Sequence, residues 1–186
     1  MVGAAWLVGT LAGWRIPATA LLLVGLSLMT HFGIFNILAA TWRRAGVDCR
    51  PLFRAPLQSR SLTEFWGRRW NLAFSEMTAV AVYRPLEHVV GKSAAMAGAF
   101  LFSGLLHELA ISVPVETGYG LPSLYFALHG GVVLLERRLE GTAGALPCWG
   151  WLGRAWTFGW LVLPLPILFH RAFLAGVVWP LIGMSN

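Results

Sequence analysis

Two short stretches carry the residues best suited to chemistry. His107 and Glu108 sit side by side in an apolar run, and Asn71 closes the stretch Phe65-Trp66-Gly67-Arg68-Arg69-Trp70-Asn71, 36 residues before His107. An uncharged imidazole in apolar surroundings can take a proton from a hydroxyl, which suits His107 to general-base work. Polar and ionisable residues inside a membrane segment are costly and usually face a cavity, a pathway or a partner. The alternative is structural: His107 hydrogen-bonded to a neighbouring helix and Glu108 paired with an arginine. Asn71 offers an acceptor and two donors, enough to orient a carbonyl or hydroxyl. Arg68 and Arg69, flanked by Trp66 and Trp70, could hold phosphates near a membrane surface, or could simply anchor a helix among headgroups. His31, His88, His129 and His170 are each isolated and default to structural or interfacial roles. No i, i+4 histidine pair and no metal-ligand cysteine spacing occurs, since Cys49 and Cys148 lie far apart, so no metal site is expected.

These residues need a membrane to hold them. Of 186 residues, 57% are hydrophobic and 12% charged, with ten tryptophans and eleven phenylalanines. That departs from ordinary soluble composition in both directions. The charge of +6 is almost all arginine and collects between apolar runs, a topology signal under the positive-inside rule that argues against nucleic acid. An all-α, polytopic transmembrane helix bundle with an interfacial amphipathic helix is the expected fold, forming one membrane domain over residues 1–186. Four spans are expected, over Ile16–Trp42, Ser93–Val113, Thr117–Leu135 and a kinked Ala155–Ile182. Val2–Trp14 reads as a short or partial membrane helix, completing an N-terminal section, 1–42. A basic loop, 43–60, comes next. The motif core, 61–140, opens with the capping box Ser61-Leu62-Thr63-Glu64, and the spacing predicts a helix from Leu62 to about Tyr83, stopped by Arg84-Pro85. Its faces differ: Trp66, Trp70, Phe74 and Met77 on one, and Thr63, Gly67, Asn71, Ser75 and Thr78 on the other. A C-terminal section, 141–186, begins with a loop over Gly141–Gly153.

The two motifs resemble the membrane-bound O-acyltransferases, particularly their wax synthase-like branch. The matching text is Pro51-Leu52-Phe53-Arg54-Ala55-Pro56-Leu57, then Ser61 to Asn71, then Val82-Tyr83-Arg84-Pro85 and Ser103-Gly104-Leu105-Leu106-His107-Glu108. Ile111-Ser112-Val113-Pro114 is similar to the diacylglycerol acyltransferase version. The resemblance implies transfer of an acyl group from acyl-CoA, a co-substrate with no further cofactor, to a lipid alcohol or other hydroxyl acceptor. It implies His107 as catalytic base assisted by Asn71, with Trp66, Arg68, Arg69, Trp70, Ser103 and Glu108 around the substrates and membrane lipid as surroundings. Fewer apolar segments precede the tryptophan-rich motif than the family usually carries. That leaves a fragment, a minimal form, or a homo-oligomer that completes the chamber with another copy. It also keeps open a second reading, a non-catalytic or partial acyltransferase-like subunit or lipid-binding protein. A transporter or channel would want polar positions along a path across several helices, whereas the polar groups here collect at two motifs.

The basic loops, 43–60 and the turn after Leu135, should share the cytoplasmic face of a multi-pass protein. Cys49 should therefore react with an impermeant thiol reagent only from the cytoplasmic side; labelling only from outside would overturn this topology.

Overall fold

The computed structural model describes residues 15–48, 51–142 and 150–183. The Val2–Trp14 segment, Cys49 and Cys148 lie outside the described residues. Among those described, every regular element is helical. The chain divides into two compact units, residues 52–169 and the two ends that flank them.

In the unit formed by the chain ends, α1 (Arg15–Leu28) continues through a wide π turn, Met29–Ile34, into α2 (Phe35–Arg44). Arg43 and Arg44 occupy the last turn, where cations complement the helix dipole. Ala18 and Leu22 are buried with Val178 and Trp179, and the Trp179 indole N–H donates to Thr19 Oγ1 at 2.8 Å.

The other unit holds both motifs. Its α3 (Leu62–Glu64) opens where expected, with Ser61 extended and its hydroxyl accepting from the Glu64 amide at 3.0 Å. Glu64 reaches back one residue further than a capping box requires, to the Arg60 amide at 2.8 Å. The helix does not run on to Tyr83. A π turn, Phe65–Arg69, leads to an extended Trp70 and a left-handed Asn71 (φ 43°, ψ 61°). Asparagine tolerates that conformation better than most residues, and its side-chain oxygen accepts from the Phe74 amide to start α4 (Leu72–Thr78). The preceding loop fixes the break: the Arg69 carbonyl accepts from Arg54 N and the Leu52 carbonyl from Leu72 N, both at 2.9 Å. Thr63, Gly67, Asn71, Ser75 and Thr78 therefore do not form one helical face.

Arg84-Pro85 does not end the next helix either. A π turn, Ala79–Tyr83, leads into α5 (Arg84–His107) with Pro85 in the first turn, where its missing N–H is no loss. The break comes at Gly91, whose φ of 81° and ψ of 166° suit only glycine, just before the expected span at Ser93. Beyond His107 come a π turn, Glu108–Ser112, and a short 3₁₀ turn, Val113–Val115. The chain then reverses into α6 (Leu121–Thr142), which passes beyond the expected end at Leu135. Helices α5 and α6 meet closely: a Cβ on Gly104 would lie 2.7 Å from Ser123 Cα. Small residues at such crossings let membrane helices approach. Helix α7 (Gly150–Val162) starts inside the expected 141–153 loop, and α8 (Leu165–Leu168) follows. Beyond it, α9 (Arg171–Phe173) opens on His170.

Among the described residues, two helices, Pro17–Arg44 and Leu72–Val115, are long and apolar enough to cross a membrane. A third counts if 150–168 and 171–181 form one interrupted span. Helix α6, expected to cross, is not among them: it starts only at Leu121 and runs on through the expected charged end, Glu136-Arg137-Arg138.

Glu64 also binds Arg69, which donates to it at 2.7 Å through Nε and approaches to 2.6 Å through a terminal nitrogen. Burial raises the Glu64 pKa, but the Arg60 amide and the Arg69 guanidinium lower it by more, leaving it below its ordinary 4.5. A depressed carboxyl contributes stability above its unfolded-state pKa and loses it as pH falls through the folded value. Glu64→Gln should thus be less stable than wild type by about 1 kcal/mol at pH 7, discounted for partial exposure. The gap should close as the pH drops below 4.5. Thermal unfolding in detergent would check it, and a gap unchanged in acid would exclude the carboxylate charge as its source.

Candidate active site

The histidine motif is organised by α5 and α6. His107 is half-buried near the end of α5, and its Nδ1 lies 2.7 Å from the Ser103 carbonyl one turn earlier. A carbonyl only accepts, so in the neutral ring the Nδ1 proton is committed there and Nε2 keeps its lone pair. The ring packs on Phe126 of α6 with centroids 4.3 Å apart. Ser103 thus serves the histidine through its backbone.

Glu108 points elsewhere, as neighbouring helix positions do. Its Oε1 accepts from the Gly120 and Ser123 amides at 2.9 and 3.0 Å, at the start of α6. That is an N-terminal helix cap delivered from a neighbouring segment. Its Oε2 is buried without a hydrogen-bond partner. No hydrogen bond joins Glu108 to His107.

The tryptophan motif separates at its break. Trp66 packs edge-on against Phe100 and His129 and at a tilt against Phe126, with centroids 6.4, 5.8 and 5.8 Å away. Trp70 instead stacks on Phe65 and meets Phe53 edge-on. Trp66 reaches the histidine side, through Phe126. The arginines part company too. Arg69 is held by Glu64 and by the Arg54 and Ala55 carbonyls, while Arg68 is exposed with no partner among the described residues. Asn71 makes its side-chain bond to Phe74 N and none to His107.

Sequence reading gives His129 only a structural or interfacial role and does not single out Glu136. His129 is fully buried, its Nδ1 2.8 Å from the Tyr125 carbonyl and its ring against Tyr125, Phe126 and Trp66. Glu136 accepts from four groups and is almost fully buried. The one available signal was spacing: positions 129 and 136 are two turns apart and share a helix face. An open apolar groove of about 400 Å³, lined by Leu124, Ala127, Leu128, Gly131, Leu135 and Trp160 among others, includes neither His107 nor Asn71. Among the described residues, no group of three His, Cys, Asp or Glu converges as a metal site.

Comparison with known proteins meets this geometry at the same residues. Residues 49–128 match the membrane bound O-acyl transferase family. The chain is 32% identical over 147 residues to a long-chain-alcohol O-fatty-acyltransferase of Simmondsia chinensis, covering 64% of this chain and 39% of that protein. It is 31% identical over 141 residues to a probable long-chain-alcohol O-fatty-acyltransferase of Arabidopsis thaliana, covering 69% and 41%. An acyl-CoA–sterol O-acyltransferase of the same plant is 37% identical over 90 residues, covering 42% and 26%. The chain thus spans about two fifths of the length of the first two relatives. No solved structure matches it. Residues 49–128, which match the membrane bound O-acyl transferase family, contain Trp66, Asn71 and His107, and the longer matches around them are similar to its wax synthase-like, long-chain-alcohol branch.

Proposed function

We propose that this integral membrane protein transfers an acyl group from acyl-CoA to the hydroxyl of a lipid alcohol, with His107 as general base. The observation that carries this reading is the Nδ1 contact to the Ser103 carbonyl, which leaves Nε2 as the ring's acceptor. In the reaction, Nε2 takes the acceptor's hydroxyl proton as that oxygen bonds to the thioester carbonyl carbon. The carbonyl becomes an oxyanion. Its collapse breaks the carbon–sulfur bond, and the departing thiolate receives the proton back from His107, giving ester and free CoA thiol. Water exclusion by the lipid and by Phe126 would protect the thioester from hydrolysis.

Asn71 is the candidate oxyanion donor, because its Oδ1 is engaged with Phe74 and its amide nitrogen makes no bond. Of the two arginines, Arg68 suits the CoA phosphates, since Arg69 is already bound to Glu64. Trp66 would line the site through Phe126, and the buried free oxygen of Glu108 would meet a polar group of the acceptor. Trp70 fits a structural role better, stacked as it is on Phe65. The relatives' names support long-chain alcohols as acceptors and include a sterol acyltransferase. The multi-pass arrangement with cytoplasmic arginine loops belongs to the same proposal. The competing reading, a partial subunit without activity of its own, draws on the shorter span relative to those proteins.

The test is acyl transfer by purified full-length chain in detergent or vesicles, with fatty acyl-CoA and a long-chain alcohol. His107→Ala should fold and insert yet lose roughly 10²–10⁴-fold in turnover. Asn71→Asp separates two roles, because it keeps the cap acceptor but loses the amide donor. It should fold normally and lose roughly 10²–10³-fold. Wild-type turnover in Asn71→Asp would make Asn71 a cap alone. A folded His107→Ala protein that turns over normally would end the general-base mechanism. A wild-type chain inactive by itself favours the partial-subunit reading.

A further inference from the structure

Glu136 lies beyond both motifs, and its carboxylate gathers four donors from two other elements. Oε1 accepts from the Leu62 amide at 2.9 Å and from the Trp156 indole at 2.9 Å. Oε2 accepts from the Thr63 amide at 2.8 Å and the Thr63 hydroxyl at 2.6 Å. Its exposure is only 2%. Burying a carboxylate is costly unless donors replace its water, and here they do. The first amides of α3 have no acceptor within their own helix, so they depend on Glu136 and on Ser61.

Helix α3 leads straight to Trp66, and the face of α6 carrying Glu136 also carries His129 two turns earlier. The segment 62–66 is therefore fixed to α6 at two points: by hydrogen bonds at Glu136, and by ring packing of Trp66 on Phe126 and His129. Phe126 is the residue against which His107 rests. Glu136 itself is about 15 Å from Phe126 along α6, at 1.5 Å per residue, too far to meet the reacting atoms.

We propose that Glu136 is a positioning residue for acyl transfer: by binding the first amides of α3 it sets how Trp66 presses on Phe126 and hence how His107 is held. The inference rests on the acyltransferase reading above. A displacement of about 1 Å at a reacting group can cost up to about 100-fold in rate, so a remote staple can matter to turnover.

Three variants of the full-length chain test it, each assayed for kcat, KM for both substrates and thermal unfolding. Glu136→Gln keeps the volume but turns an amide N–H₂ toward donors. Thr63→Val removes only the hydroxyl bond on the tryptophan-motif side, and Trp156→Phe removes only the indole bond on the α7 side. The inference expects kcat per folded molecule to fall ~10- to 100-fold in Glu136→Gln, and by less in Thr63→Val, with both KM values held. Trp156→Phe should keep kcat within about twofold even where its melting temperature drops. Equal losses of kcat in Thr63→Val and Trp156→Phe would overturn it. So would unchanged kcat in Glu136→Gln and Thr63→Val, which would leave Glu136 a stability residue. If Glu136→Gln fails to fold, the Thr63→Val and Trp156→Phe pair decides alone. A wild-type chain without transfer activity would overturn the functional reading and this role with it; an active wild type with insensitive variants would overturn only this role.

Discussion

A helix that begins inside apolar surroundings leaves its first amides without water, and the whole motif-bearing unit is arranged around meeting that need. Glu108 reaches from the end of one helix to the start of α6, and Glu136 reaches from α6 to the start of α3. Each carboxylate is tolerable only because it accepts several N–H groups, and each set of amides only because a carboxylate is there. The result is a chain of dependence running from the histidine motif through α6 to the tryptophan motif. Close α5–α6 packing at Gly104 completes the frame.

Within that frame, aromatic packing does the work of contact. Phe126 touches His107, His129, Tyr125 and Trp66, so it joins two motifs that share no hydrogen bond. The wide turn at 65–69 and the extended Trp70 send the two tryptophans to different neighbours. The same break gives the two arginines different fates, one enclosed by Glu64 and loop carbonyls and the other left exposed.

How much of this could be read beforehand depends on distance along the chain. The helix start at Ser61, the apolar segment carrying His107 and the break near Lys92 all follow from local signals, and they stand where those signals pointed. The tryptophan motif misled because helical periodicity treats Asn71 as one more position on a stripe, while its left-handed backbone is fixed by the loop at 52–54. Pro85 misled in another way: a proline that would stop a helix interior is harmless in a first turn. Glu136 was the hardest. Beside Arg137 and Arg138 it looked like the charged end of a span, and its partners are 73 and 74 residues away.

Among the described residues five wide turns remain, at 29–34, 65–69, 79–83, 108–112 and 174–178. A π turn holds one residue more than the α-helical turn it replaces, so it absorbs a single insertion without rotating the helix on either side. Homologous chains that differ by one residue at these places would keep both flanking faces in phase, whereas the same change in mid-helix would turn everything beyond it by about 100°. The bulge at 79–83 marks the segment between the two motifs as one whose length can drift while the histidine keeps its bearing toward α6.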